Sequence, residues 1–216
     1  MSGLLALQAS TITTSIFSSG AIATLSLFDI PELRSQPAVR SLPQTRWLFS
    51  RGSHIFPFTA FLSAAGFLSL AITALPPGRA ISSILKVAAN GAKVNSYLAA
   101  AVLNFAIAPW TSQVMIATNF RLIELNERLG GARSERSAKE GKFGAGEKSA
   151  EDSVSGKGDV SQVTDLSGPQ ERTGREASVE EEREVRELLG AFGRMNGVRA
   201  VLTGVGGVVG LVAALL

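Results

Sequence analysis

Four apolar runs, each long enough to cross a lipid bilayer, are the main feature of the sequence. They cover residues 4–28, 55–75, 97–118 and 198–216. A helix needs about 20 apolar residues to cross a hydrocarbon core. The runs contain no Asp, Glu or Lys, and their only Arg is Arg199, at the edge of the last run. The sequence therefore predicts an all-α fold, a four-helix transmembrane bundle.

Composition narrows the partners and the chemistry. The 216 residues include 21 Lys and Arg, one His and no Cys. The absence of cysteine excludes disulfides, thiolate metal sites and a cysteine nucleophile, and a single histidine excludes a histidine-based metal cluster. The basic residues flank the apolar runs, where they usually set orientation, so we expect a lipid bilayer and no nucleic acid as partner.

The segments between the runs carry different signals. Residues 29–53 contain three prolines and scattered charge, which favour an irregular loop over one long helix. Pro57 is expected in the first turn of the second span. Pro109 is expected to kink the third span or to free the carbonyl of Phe105. The short loop 79–96 has helical spacing of apolar residues and is expected to lie partly along the membrane surface.

The chain divides into three parts. Residues 1–126 hold the first three spans. Residues 127–177 are rich in Gly, Ser, Lys and Glu, cannot bury enough surface to offset chain entropy, and are predicted to form a long disordered loop. Residues 178–216 are predicted to form an amphipathic helix that leads into the fourth span. Ser178 and Glu181 fit a capping box, and Gly206 with Gly210 suit close helix packing.

The distribution of Arg and Lys predicts the orientation. With four spans, the first and third loops share one side of the membrane. The first loop carries four Arg, and the third carries basic residues near both of its ends. Cytosolic loops are enriched in Lys and Arg. We therefore expect an integral, multi-pass membrane protein whose first and third loops are cytosolic.

Polar residues stand at the ends of the apolar runs. These residues are His54, Thr118, Asn119, Arg121, Asn196 and Arg199. The chain topology places them at the same membrane boundary. Each alone is explained as an interfacial residue or a membrane anchor, but polar groups at membrane depth tend to be paired and functional. The set is therefore a candidate site.

Several short motifs around these residues resemble the anthrone oxygenase family of small four-span membrane proteins, many of unknown function. They are Arg51-Gly52-Ser53-His54 with Pro57, Pro109-Trp110-Thr111 with Met115, Thr118-Asn119-Phe120-Arg121-Leu122, Leu188-Leu189 with Met195-Asn196 and Arg199, and Ser19-Gly20-Ala21. One departure is Ser53, which separates Gly52 from His54 where the family often has Gly and His adjacent. The resemblance covers the chain except residues 127–177.

The resemblance implies an activity. Characterised fungal members oxidise polyketide anthrones to anthraquinones with dioxygen, in secondary-metabolite biosynthesis. We expect a monooxygenase that needs no cofactor and no metal, with a polycyclic aromatic molecule and dioxygen as substrates. His54 is the expected base, since histidine is the side chain that titrates near neutrality.

The other roles follow from the same implied reaction. Arg121 and Arg199 are expected to stabilise the substrate anion, and Asn119 and Asn196 to orient it. Trp47, Trp110 and Thr118 are the expected substrate-binding residues, the two indoles by stacking. Two alternatives remain open at this point. One is a non-catalytic membrane scaffold or partner protein, and the other is a small-molecule transporter, which the lack of acidic residues in the spans disfavours.

Overall fold

The computed structural model describes residues 2–142 and 165–216, and within these ranges the chain forms helices and no β-strand. The α-helices are α1 (Ser2–Thr24), α2 (Ile30–Ser35), α3 (Ala38–Thr73), α4 (Ala92–Phe105), α5 (Ile107–Trp110), α6 (Ile116–Arg128), α7 (Glu135–Lys139) and α8 (Val179–Leu215). π-Helical turns occupy Leu25–Asp29 and Thr111–Met115. Short 3-10 helices occupy Ile81–Leu85 and Val87–Ala89. The all-α prediction is confirmed.

Among the described residues, four helical stretches are long and apolar enough to cross a membrane. They are Ser2–Ser35, Ala38–Thr73, Ala92–Arg128 and Val179–Leu215, with 34 to 37 residues each. The prediction of four spans is confirmed. A helix of this length extends roughly 50–55 Å at about 1.5 Å per residue. Since a hydrocarbon core is about 30 Å thick, each helix is long enough to continue well beyond it.

Residues 29–53 are not an irregular loop, so that prediction is wrong. The only interruption between α2 and α3 is at Gln36-Pro37, where Gln36 is extended. Pro31 lies at the start of α2, where its missing N–H costs nothing. Pro57 falls in the interior of α3 and not in a first turn.

Pro43 is accommodated inside α3 by a contact from a distant segment. A proline has no N–H, so the carbonyl four residues earlier, that of Val39, receives no helical bond from it. The N–H of Thr173 donates to this carbonyl oxygen at 2.9 Å. The N–H of Ala38, the first residue of α3, donates to a carboxylate oxygen of Glu182 at 2.8 Å. Residues distant in the chain therefore provide hydrogen bonds to the Val39 carbonyl and the Ala38 N–H, and α3 continues through Pro43.

The structure shows ordered residues at both ends of the predicted disordered loop 127–177. Its central part, residues 143–164, lies outside the described residues. On the near side, α6 continues to Arg128 and is followed by Gly130, whose φ of +77° favours glycine. On the far side, Gly174 N–H donates to Gly130 O and Arg175 N–H donates to Leu129 O. We call residues 165–178 the strap. Composition alone does not reveal such backbone contacts.

The start of α8 follows the prediction. Ser178 Oγ accepts from the Glu181 N–H at 3.2 Å, and Glu181 Oε2 accepts from the Ser178 N–H at 2.8 Å. This is the reciprocal pairing of a capping box. The amphipathic helix and the fourth span form one continuous helix of 37 residues.

The chain forms two compact units. The first, which we call the apolar unit, comprises Met1–Ala23, Phe56–Ser112 and Gly197–Leu216; the second, the charged unit, comprises Thr24–Ile55 and Gln113–Asn196. The glycines of α8 allow close contacts in the apolar unit. A Cβ added at Gly210 would lie 2.1 Å from Phe67 Cε1, and one at Gly206 would lie 2.4 Å from Asn104 Nδ2. The predicted packing role of both glycines is confirmed.

Buried polar side chains connect three helices of the apolar unit. The Ser15 hydroxyl lies 2.9 Å from Asn104 Oδ1 and 2.8 Å from the carbonyl oxygen of Thr203. Asn104 Nδ2 donates to Ala100 O at 2.9 Å, and the Ser19 hydroxyl donates to Ala200 O at 2.7 Å. Ser15, Asn104 and Thr203 are fully buried. Because hydrocarbon offers no hydrogen-bond partners, these bonds fix how α1, α4 and α8 pack.

In the charged unit, α2 lies directly on α8. A Cβ at Gly193 would lie 2.9 Å from Ile30, and one at Gly190 would lie 3.1 Å from the guanidinium carbon of Arg34. The rings of Phe49 and Phe192 meet edge to face with centroids 5.0 Å apart. These contacts bury one face of α8 and leave the Arg34 side chain across its surface.

The strap is held by Asp165. Burial alone would raise the pKa of this carboxyl, but hydrogen bonds from Ser134 and Ser167 and the charge of Arg133 lower it to about 2. The Ser167 carbonyl in turn accepts from Trp47 Nε1 at 2.9 Å and from Arg51 Nη2 at 3.0 Å. The ionised carboxylate therefore fixes a turn that contacts α3.

Gly210→Leu should destabilise the apolar unit. Phe67 is fully buried, and a Cβ at position 210 would lie 2.1 Å from its ring, so the packing must shift. Overpacking of this kind typically costs about 1–3 kcal/mol. The thermal midpoint in detergent measures the effect. Gly197→Leu on the same helix is the matched control, since a Cβ there meets no atom within 4 Å. Equal midpoints for the two variants would contradict the packing described.

Acid should release the strap from Trp47. A carboxyl with a lowered pKa contributes stability above its unfolded value of 3.8 and loses it as the pH falls through about 2. In a Trp110→Phe background, Trp47 emission should therefore shift to longer wavelength between about pH 4 and pH 2. Asp165→Asn should lack this transition. A transition of the same size in Asp165→Asn would show that another group controls the strap.

Sidedness can be tested by cysteine labelling, because the chain has no cysteine. Ser35 on α2 and Ser82 in the short loop are both exposed, whereas Ser41 is buried and unsuited to labelling. A four-span chain with a cytosolic first loop predicts that Ser35→Cys reacts from the cytosolic side and Ser82→Cys from the other. Labelling of both from one side would refute the topology, and the reverse pattern would invert the orientation.

Candidate functional site

The eight predicted site residues are divided between the two units. Those in the charged unit are Trp47, His54, Thr118, Asn119, Arg121 and Asn196. Trp110 and Arg199 belong to the apolar unit. All of them lie on helices: Trp47 and His54 on α3, Trp110 on the short α5, Thr118, Asn119 and Arg121 on α6, and Asn196 and Arg199 on α8. The surroundings of each side chain determine what chemistry it can perform.

His54 is the most accessible of the polar residues. It lies within α3, three residues before Pro57, and its side chain is exposed. An exposed imidazole can exchange protons with its surroundings, which a general base requires between turnovers. Its position within the helix fixes the Cα and leaves the ring accessible.

Thr118 and Asn119 follow a local widening of the third span. Pro109 is followed by the π-helical turn Thr111–Met115, and π-turns occur frequently at functional sites. Thr118 and Asn119 are half-buried at the start of α6. The Asn119 Oδ1 atom is buried and accepts no hydrogen bond from the residues that the structure describes. A buried acceptor of this kind is suited to receive a donor from a bound ligand.

Arg121 is held by two carboxylates. Its Nε and Nη2 donate to the two oxygens of Glu184 at 2.6 and 3.1 Å, and its Nη1 donates to Glu124 at 3.3 Å. The pair with Glu184 is a fork-to-fork contact between planar groups. An anionic substrate that reaches Arg121 therefore competes with Glu184. The positive charge of Arg121 is therefore partly neutralised, a feature that the sequence alone did not predict.

Trp47 already has neighbours on its ring and its nitrogen. The guanidinium of Arg51 lies 4.0 Å from the ring centroid, and the indole N–H donates to Ser167 O. Arg51 Nη2 also donates to Asp165 O at 2.7 Å. A flat substrate that stacks on Trp47 therefore meets a ring whose one face Arg51 covers.

The remaining residues are more deeply placed. Asn196 is fully buried, and its Nδ2 donates to Ser26 Oγ at 3.2 Å. Arg199 is also buried, and its guanidinium lies 6.0 Å from the centroid of Phe56, at the limit of a cation–π contact. Trp110 is half-buried. A buried Asn and Arg suit the fixing of helix positions at least as well as contact with a substrate.

Sequence reasoning missed an open groove on α8. The groove has a volume of about 490 Å³, and its wall includes Glu184 and Arg34. Glu184 falls one residue before Val185, at the edge of the apolar stripe of the amphipathic helix. A charged residue beside an apolar stripe could have indicated a partner or a site on this face of the helix. Its partner Arg121 lies 63 residues away in the chain, so the pairing itself was not predictable.

A family model described as anthrone oxygenase matches residues 46–209, well over half of the chain. The chain belongs to the anthrone oxygenase family. The match confirms the family that the short motifs indicated. The matched range contains all eight predicted site residues and also Glu184. No curated protein and no solved structure matches the chain significantly.

A double-mutant cycle on Arg121 and Glu184 should give a small coupling energy. Both side chains are more than one-third exposed, at 38% and 36%. Exposed ion pairs typically contribute about 0.2–1 kcal/mol. We expect the cycle of Arg121→Gln, Glu184→Gln and the double variant, measured by unfolding, to fall within that range. A coupling above about 2 kcal/mol, outside that range, would indicate a structural pair and not part of a ligand site.

Proposed function

We propose that this member of the anthrone oxygenase family is a membrane-bound monooxygenase that converts a hydroxylated anthrone to an anthraquinone with dioxygen. The observation that carries the proposal is the family match over residues 46–209, because that range includes every residue of the candidate site. The proposed place of the reaction is polyketide secondary metabolism. Four helices able to cross a membrane are compatible with a lipid-soluble substrate.

The proposed reaction is chemically balanced without a further reductant. A base removes one proton from the methylene group opposite the anthrone carbonyl, which leaves a delocalised anion. This anion gives its electrons to dioxygen, and a C–O bond forms to yield a hydroperoxide after protonation. Loss of water from the hydroperoxide produces the second carbonyl. One dioxygen is consumed, one oxygen atom enters the quinone and the other leaves as water.

In the proposal, His54 is the base. Its exposure allows it to return the proton to the surroundings. Asn119 orients the substrate, since its buried Oδ1 can accept a phenolic O–H. Arg121 stabilises the anion in competition with Glu184. The roles expected of Asn196 and Arg199 toward the anion, and of Trp47, Trp110 and Thr118 in substrate binding, stay predictions from the sequence.

Turnover of purified protein with 1,8-dihydroxyanthrone tests the proposal. His54→Gln should lower turnover per folded molecule by roughly 10²–10⁴-fold, the usual contribution of a positioned base. Arg121→Lys keeps the charge but loses the planar fork, and should lower turnover by roughly 10²–10³-fold. Lys86→Gln, in the exposed short loop, is the control and should leave turnover unchanged.

Retention of more than about a tenth of wild-type turnover in His54→Gln would show that His54 is not the base, because loss of a base typically lowers turnover by roughly 10²-fold or more. Wild-type turnover no faster than the uncatalysed oxidation would instead favour a non-catalytic membrane partner.

A further inference from the structure

The open groove of the charged unit is built by α2 and α8. Its volume is about 490 Å³, within the range of roughly 300–1,000 Å³ that is usual for small-molecule sites. Apolar and small residues line part of it, Leu188, Gly190 and Ala191. The groove is partly open, so a ligand can enter it from outside the protein.

Arg34 lies across Gly190. A Cβ at Gly190 would be 3.1 Å from the guanidinium carbon, closer than an ordinary contact. Arg34 Nε donates to the carbonyl oxygen of Arg186 at 3.1 Å. This contact orients the guanidinium without neutralising its charge. The missing side chain at position 190 therefore allows a cationic, planar group to lie along the groove.

The groove is linked to Arg121, one of the candidate site residues of the charged unit, through Glu184. One carboxylate both lines the groove and binds Arg121 in the fork-to-fork contact. Arg194 provides a second cation, and Glu187 a second carboxylate. Charged groups therefore surround an apolar floor, an arrangement that suits a flat aromatic molecule with polar oxygens at its edge.

We propose that this groove binds the aromatic substrate and that Arg34 anchors its oxygen atoms; this inference rests on the proposed function. An anthrone with a hydroxyl beside its carbonyl presents two neighbouring oxygens along one edge. The forked N–H groups of a guanidinium match such a pair, whereas a lysine ammonium does not. Gly190 contributes to specificity in this proposal, because a Cβ there would press on the Arg34 guanidinium and a large side chain would fill the groove.

Kinetics of the full-length chain with 1,8-dihydroxyanthrone test the groove. Arg34→Gln should raise KM by roughly tenfold or more, the loss expected for charged hydrogen bonds, and leave kcat nearly unchanged. Gly190→Leu should do the same by filling the groove. The clash there is with the flexible end of Arg34, so folding should be retained. Gly197→Leu on α8 is the matched control and should keep the wild-type KM.

Binding of the product separates this inference from the proposed function. The Kd of 1,8-dihydroxyanthraquinone, measured by quenching of tryptophan fluorescence, requires no turnover. Weaker binding in Arg34→Gln and Gly190→Leu supports the groove even if the wild type shows no oxidation, in which case only the oxygenase proposal fails. Wild-type turnover with unchanged KM and Kd in both variants would overturn the groove alone. A wild type that neither oxidises the anthrone nor binds the quinone would overturn both.

Discussion

The hydrogen bonds of Ser15 connect the helices of the apolar unit. Its hydroxyl reaches both the Asn104 amide and the Thr203 carbonyl, although these groups are 89 and 188 residues away in the chain. A hydroxyl and an amide inside hydrocarbon must find partners within the protein, since no water is present to supply them. The close approach this requires is possible because α8 has glycines, and not larger residues, at positions 206 and 207. The close packing of the helices and the hydrogen bonding of their buried polar groups therefore depend on each other.

Much of the fold was predictable because the signals were local. The spans follow from the length of uncharged apolar runs, the start of α8 from Ser178 and Glu181, and the close contact on α8 from Gly210. The errors arose where a distant residue decides the outcome. The prolines of residues 29–53 were expected to favour a loop, but α3 continues through Pro43, and Thr173 satisfies the carbonyl of Val39 that this proline leaves open. Residues 165–177 were expected to be disordered because they contain few large apolar residues, and composition does not reveal their backbone contacts.

For the candidate site too, local features were predictable from the sequence and long-range contacts were not. Its residue types and the family were predictable from short motifs, and the family match now includes all of them. The partners of those residues were not. Arg121 binds Glu184, which the amphipathic stripe of α8 places at the helix surface, and Trp47 is covered by Arg51 and bound to Ser167. Each contact joins segments far apart in sequence or depends on which face of a helix is buried. Arg121 is therefore not an isolated cation, because it pairs with a carboxylate that also lines the groove.

Oxidation under ¹⁸O₂ tests the central account most directly. Reconstituted wild-type protein with 1,8-dihydroxyanthrone should form the quinone faster than buffer alone, with one dioxygen consumed for each quinone formed. Mass spectrometry should find one ¹⁸O atom in the new carbonyl, with the other released as labelled water. A rate equal to that of buffer, or a quinone formed at an enhanced rate whose new oxygen comes from water, would contradict a monooxygenase.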